Sequence, residues 1–294
     1  MNRPPVTQAM IDLYDRFTHD GLDRRDLMAG MVRLAGSGAA ASAILPLIAA
    51  SPAAGSIVAA DDKRVIATTV KWPGVAVHQL SGYLVRPAVN NRLTLGTVML
   101  VHENRGLTEH IRDVARRLAI EGFIVLAPDF LSPAGGTPAD EDRARAMIAA
   151  LPRDATVADG VATVDWLASV KGGNARVGAA GFCWGGGMVN AVACAAGLRL
   201  RAGVPYYGPQ PPAALVPGLK ARLLLHYAGL DDRINAGIPA YEAALKAAHV
   251  KYEAIVYPGV NHAFNNDTSA ERYNKAAADL AWGRTVAFLH ETLG

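Results

Sequence analysis

The chain has 294 residues, 51% of them hydrophobic and only 6% aromatic, with 29 basic against 26 acidic side chains and a net charge of +3. That length suits one large α/β domain or two small ones, and the Ala, Val, Leu and Ile that dominate the apolar set suffice for a sizeable core. The charge excess is small and scattered, with no Lys/Arg stripe, which argues against a nucleic-acid partner.

Residues 1–60 differ from the rest. "DGLDRRDLMAG" carries the adjacent pair Arg24 and Arg25. An apolar but Ala/Gly/Ser-diluted stretch follows, and then "SIVAADD", with small residues at Val58 and Ala60 where a peptidase could cut. This segment resembles a twin-arginine export signal, which would make the protein periplasmic or otherwise exported. It departs from that pattern in Asp23 before the pair and in Arg33 inside the apolar run. The alternative is a helix docked on the domain of a cytoplasmic protein. Arg33 and Pro46 interrupt the run, so stable membrane insertion is not expected.

From residue 64 to 294 the pattern is regular. "RVIATTV" and "QLSGYLVRP" read as two strands with a hairpin-like link. "TVMLVHE" (97–103) is a buried strand. Residues 107–122 have helical spacing, with Ile111, Val114, Leu118 and Ala119 on one face and Gly122 as terminator. "FIVLAPD" is the next strand, and two helices follow it, in "DEDRARAMIAAL" and "ATVADGVATVDWLASV". "ARVGAAG" is a strand leading to "GFCWGGG", and "MVNAVACAAG" is a helix. "RAGVPYYG", "ARLLLHYAG" and "YEAIVYPG" are strands, with helices over "AGIPAYEAALKAAHV" and from Ala270 to the end. Strands alternating with helices indicate a single α/β domain: a mostly parallel, doubly wound sheet covered on both faces.

"GFCWGGG" holds one of only two cysteines. Placed between a strand and a helix, G-x-C-x-G matches the G-x-S-x-G nucleophile elbow with cysteine in place of serine. Gly181 and Gly185 must be small there, and the helix N-terminus favours negative charge at Cys183. The backbone N–H of Trp184 faces a developing oxyanion. Cys194, mid-helix among alanines, reads as core. Eleven residues of helix separate the two sulfurs by about 16 Å, too far for a disulfide. No Cys/His spacing fits a zinc set. A cysteine nucleophile needs a base and an orienting acid. Strand "LLLHYAG" leads into Asp231 and Asp232, and strand "AIVYPG" into His262, in the order this architecture requires. His226 lies within a strand, His249 at a helix end and His290 in the last helix, positions less suited to the base.

Taken together, "VHENRGLTEHIRDVARRLAIEGFIVLAPD", "GFCWGGG", "YAGLDDRI" and "YPGVNHAFNND" resemble the dienelactone hydrolase family of α/β-hydrolases over roughly residues 75–294. The resemblance implies an α/β-hydrolase fold and hydrolysis of a carboxylic ester or lactone through a thioester on Cys183, with no cofactor or metal. It matches the family's acid to Asp232 rather than Asp231. It also places at Glu103 the glutamate that contacts the resting thiol, and makes the N–H of Asn104 the second oxyanion donor beside that of Trp184. Where members that hydrolyse dienelactone have an arginine and a tyrosine after the fourth-strand aspartate, here Asp129, this chain has "FLSPAGG". Dienelactone is therefore not expected to be the best substrate. Arg105 or Arg233 could take over a substrate carboxylate, and Phe264 is a further substrate-binding candidate. Other readings on the same fold are a non-catalytic binding protein and a thiol-based redox enzyme or acyltransferase.

Overall fold

The eight apolar, β-branched runs form one sheet in this computed structural model, which describes residues 5–51, 55–75, 78–89 and 93–294. Three helices come first: α1 (Gln8–His19), α2 (Arg24–Ala35) and α3 (Gly38–Ile48). The domain continues as β1 (Val65–Pro73), β2 (Gln79–Pro87), β3 (Leu95–Val101), α4 (Glu109–Ile120), β4 (Ile124–Asp129), α5 (Glu141–Ala149) and α6 (Arg153–Ala168). Next come β5 (Gly173–Phe182), α7 (Trp184–Ala196), β6 (Leu200–Tyr206), β7 (Arg222–Ala228), α8 (Asp232–Asn235), α9 (Ile238–Ala247), β8 (Tyr252–Tyr257) and α10 (Lys275–Leu293).

The strand order is β1-β2-β4-β3-β5-β6-β7-β8. β1 and β2 pair antiparallel, as does β2 with β4, and the remaining pairs are parallel. β3 and β4 are buried along their whole length, which is why they read as unbroken apolar runs rather than alternating ones. One apolar cluster joins α4 and α10 to the sheet, and a second joins α6, α7 and α9 to it. The last helix begins at Lys275, where Asn274 accepts from the Ala277 N–H. The sequence pattern had started it at Ala270. Residues 270–274 instead belong to a loop that grips the N-terminal helices.

α1–α3 form an arm with its own apolar cluster around Met10, Tyr14, Leu27, Met31, Ile44 and Ile48. α2 and α3 are bent by 109°, and among the described residues no single helix is long and apolar enough to cross a membrane. Polar contacts hold the arm on the domain. The Ile48 carbonyl accepts from Ser269 Oγ (2.6 Å) and Arg272 Nε (3.0 Å). Arg105 Nη2 donates to the Tyr14 hydroxyl at 2.5 Å. Arg24 meets Asp142 at 2.6 Å, but both side chains are exposed and such pairs contribute little.

His226, on β7, is fully buried between Thr285 Oγ1 (3.1 Å) and the Tyr257 hydroxyl (3.0 Å). Burial, and secondarily Arg284, pulls its pKa down to about 3. The unfolded chain therefore takes up a proton near pH ~6.5 that the native chain refuses, and stability falls as pH drops from there toward the native value. In urea titrations, the stability difference between wild type and His226→Gln should shrink by about 1.4 kcal/mol per pH unit below ~6.5. A difference that stays constant with pH would contradict this assignment.

Candidate active site

β5 ends at Phe182, and α7 starts at Trp184. Between them Cys183 adopts φ +56° and ψ −116°, a conformation L-residues rarely take. The packing around it enforces that turn. A Cβ on Gly181 would lie 2.5 Å from the Gly185 carbonyl oxygen, and one on Gly185 would lie 2.4 Å from that of His102. The Cys183 N–H is tied to the Tyr206 carbonyl at 3.0 Å. Sγ thus stands at the helix N-terminus, where N–H groups lack helical acceptors. Trp184 supplies the first of these, and its ring stacks on His102 with centroids 5.2 Å apart. Cys194 is buried in the core beyond, and burial raises its thiol pKa to about 11. Both cysteines are free.

The loops after β7 and β8 bring the acid and the imidazole together. His262 Nδ1 lies 2.5 Å from Asp231 Oδ2, and both groups are buried. The carboxylate at the imidazole is Asp231, not the Asp232 to which the family resemblance pointed. Asp231 caps α8, with Oδ1 accepting from the Ile234 N–H at 3.2 Å, and so faces inward. Asp232 is already in the helical turn and projects to solvent. Burial alone would raise the Asp231 pKa, but the His262 ring outweighs it and holds the carboxyl low. Burial likewise pulls His262 down. Asp231 and negative charge on Cys183 together override that and raise it. The Cys183 part exists only once the thiol has lost its proton, so His262 becomes a stronger base as it receives that proton. His262 Nε2 is buried and has no hydrogen-bond partner among the described residues.

The Sγ contact expected from Glu103 is made by another residue. Glu103 Oε2 accepts from Asn266 Nδ2 at 2.9 Å and shares with Cys183 and His262 a cleft of about 20 Å3. Instead, His19 Nε2, at the end of α1, lies 3.0 Å from Sγ. Its ring packs edge-on to that of His262, with centroids 4.6 Å apart. The donor atoms of His19, Cys183 and His262 all lie within 4.8 Å of one another, a grouping compact enough to trap a thiophilic cation. Asn104 Nδ2 donates to the Thr18 carbonyl at 2.9 Å, so the arm also touches the loop expected to supply the second oxyanion donor.

A cavity of about 380 Å3 opens beside the sulfur, lined by His19, Trp184, Tyr207, Arg145, Arg233 and His262 among others. Arg233 is half-exposed there, its nearest carboxylate being Asp20 at 3.9 Å. Arg105 is not in this cavity but lines the small cleft at Cys183 and His262. It is buried and committed to Tyr14 and to Glu141 at 3.3 Å. Phe264 is no lining residue either. It is wholly buried among the rings of Tyr206, Tyr207 and Tyr257, and Tyr207 in turn packs on His262. His19, Thr18 and Arg145 were missed in the sequence. The helical spacing of Met10, Ile11, Tyr14 and Thr18 was the available sign that α1 has a face to bury.

Comparison with known proteins agrees with this geometry. The dienelactone hydrolase family profile matches residues 80–293. A protein of Escherichia coli O157:H7, provisionally named a carboxymethylenebutenolidase, is 33% identical over 257 residues, covering 83% of this chain and 93% of its own. A crystal structure from Klebsiella pneumoniae, provisionally titled a dienelactone hydrolase, matches at 30% identity and a TM-score of 0.68, covering 77% of this chain and 98% of that one. The bacterial brefeldin A esterase covers 96% of this chain with a TM-score of 0.65, but at 16% identity it attests the fold alone. A strained strand–helix turn, a carboxylate-backed histidine and a match over most of the chain agree: this protein belongs to the dienelactone hydrolase family, with the α/β-hydrolase fold.

Proposed function

We propose that the protein hydrolyses carboxylic esters or lactones through a thioester on Cys183. One observation carries this reading: the strained elbow cysteine shares a cavity with a buried, carboxylate-backed imidazole whose Nε2 is unpartnered. His262 Nε2 takes the thiol proton as Sγ attacks the carbonyl carbon. The oxyanion gathers the N–H groups of Trp184 and Asn104. The carbon–oxygen bond then breaks, and His262 returns its proton to the leaving oxygen. Water next gives a proton to His262 and attacks the thioester, and the departing sulfur recovers that proton. Asp231 accepts from His262 Nδ1–H throughout, which fixes the tautomer of the neutral ring and stabilises the imidazolium.

On a panel of esters and lactones, Cys183→Ala should lower kcat by at least ~10³-fold, because the members act as a unit. Iodoacetamide should label Cys183, which lines the cavity, and spare Cys194, whose thiol desolvation makes hard to ionise. Full turnover in Cys183→Ala would overturn the mechanism. Asp231→Asn should cost on the order of 10³–10⁴-fold in kcat, whereas Asp232→Asn stays near wild type. The reverse order would restore Asp232 as the acid.

The substrate is proposed to carry an anionic group. The Asp129 loop lacks an arginine, and its carboxylate is occupied by Leu131 N, Thr137 N and Thr137 Oγ1. Arg145 and Arg233 line the cavity from the opposite elements, α5 and α8. For matched neutral and carboxylate-bearing esters, Arg233→Ala should reduce kcat/KM about tenfold for the charged member alone, a ~1.4 kcal/mol effect. Equal loss for both would remove Arg233 from recognition.

We also propose that the arm stays with the domain, because it walls this cavity. Export on the Arg24–Arg25 pair is a separate proposal, compatible with it only if the arm is uncleaved. Fractionation with N-terminal sequencing checks both, and protein that begins after Ala60 would refute retention.

A further inference from the structure

The N-terminal arm puts a second imidazole on the nucleophile, and the partners of that ring determine what it can do there. His19 Nδ1 lies 2.8 Å from the Asp15 carbonyl oxygen. A carbonyl only accepts, so Nδ1 carries the hydrogen. Thr18 Oγ1, also 2.8 Å from Nδ1, is 3.0 Å from the Asp15 carbonyl and 3.2 Å from the Tyr14 carbonyl. Its own hydrogen goes to one of those, which leaves a lone pair for Nδ1–H. Burial, then the neighbouring His262, pulls the His19 pKa well below its ordinary value, so the ring is neutral. Nε2 is therefore a lone pair, and across 3.0 Å the sulfur can only be the donor. His262 Nε2, also lacking a hydrogen when that ring is neutral, is left without a partner. While His262 is neutral, two acceptors flank a single S–H, and the contact with hydrogen-bond geometry is the one to the arm.

We propose that His19 is a further catalytic residue: in the resting enzyme it accepts the Cys183 hydrogen and keeps the nucleophile a thiol, turned from His262 until substrate enters. The inference rests on Cys183 being the nucleophile. The two acceptors are unequal by construction. His262 is backed by a carboxylate, His19 by a carbonyl oxygen. Only His262 can hold a full proton, so His19 stores the hydrogen without removing it. Rotation about the Cβ–Sγ bond hands the S–H to His262, which then receives the proton as sulfur attacks. At product release the thiol reforms and the hydrogen returns to His19. The charged and titratable groups facing this pair are Asp15 on α1, Glu103 and Arg105 after β3, Arg145 on α5, Arg153 on α6, Tyr207 after β6, Asp231 and Arg233 after β7, and Arg272 after β8. The family profile matches from residue 80, beyond the arm that supplies this acceptor.

The test uses the full-length chain, with EDTA present so that no trapped cation bridges the three groups. In ¹⁵N-histidine NMR of wild type, His19 should be the Nδ1–H tautomer with Nε2 hydrogen-bonded. Its Nε2 signal should move in Cys183→Ala and stay in Cys183→Ser, which keeps a donor. A His19 signal indifferent to Cys183→Ala overturns the proposal, and this reading needs no His19 variant to fold. Independently, the pH profile of Cys183 alkylation should move to lower pH in His19→Ala, raising the rate near neutrality about tenfold. In His19→Glu, which restores an acceptor, the profile should not move down. A displaced arm that merely opened access would raise the rate at every pH without moving the profile, and that result counts against the proposal. Failure of the nucleophile reading is separately visible, as turnover that survives Cys183→Ala.

Discussion

The turn at Cys183 is the constraint on which the rest of the site depends. A positive φ at a residue with a side chain costs on the order of 1–3 kcal/mol and persists only where the surroundings over-determine it. Here β5 is held between β3 and β6, and the start of α7 is pressed against the Val101–His102 backbone with no room for a Cβ at Gly185. That crowding lifts Sγ out of the sheet and points the first N–H groups of α7 at the same space. Asn104, Asp231 and His262 come from loops at the same ends of the parallel strands, where side chains can converge without entering the core, and His19 comes from the end of α1 on the arm.

Around that fixed sulfur the electrostatics divide labour between two rings. His262 is buried, yet Asp231, together with the negative charge on Cys183 once the thiol ionises, makes protonation favourable. His19 is partly buried, with no carboxylate behind it but a carbonyl and a hydroxyl oxygen, and desolvation prevails. The same carboxylate also caps α8, so one side chain sets both the position of the loop and the tautomer of the ring. The arm is held by groups that are themselves close to the site: Arg105 on Tyr14, Asn104 on Thr18 and Arg272 on Ile48. Docking of the arm and organisation of the site are therefore coupled, and the loop at 269–274 is irregular because it serves that docking rather than extending α10.

Much of this protein was legible in one dimension. Alternating apolar runs and amphipathic stretches specify a parallel sheet covered on both faces, because burial periodicity is a local property of the chain. G-x-C-x-G is legible for the same reason, since a tight turn excludes side chains from its own neighbours. The order of cysteine, aspartate and histidine follows from strand order. What only the tertiary structure decided were the choices between neighbours and the contacts between distant segments. Asp231 and Asp232 are equivalent in composition and differ only in which way the first turn of α8 directs them. Phe264 and Arg105 carry plausible chemistry for recognition, yet packing commits one to an aromatic core and the other to Tyr14 and Glu141. His19 stands 164 residues from Cys183 in the chain. No local pattern encodes that distance, because it depends on how a three-helix arm rests on the ends of a sheet.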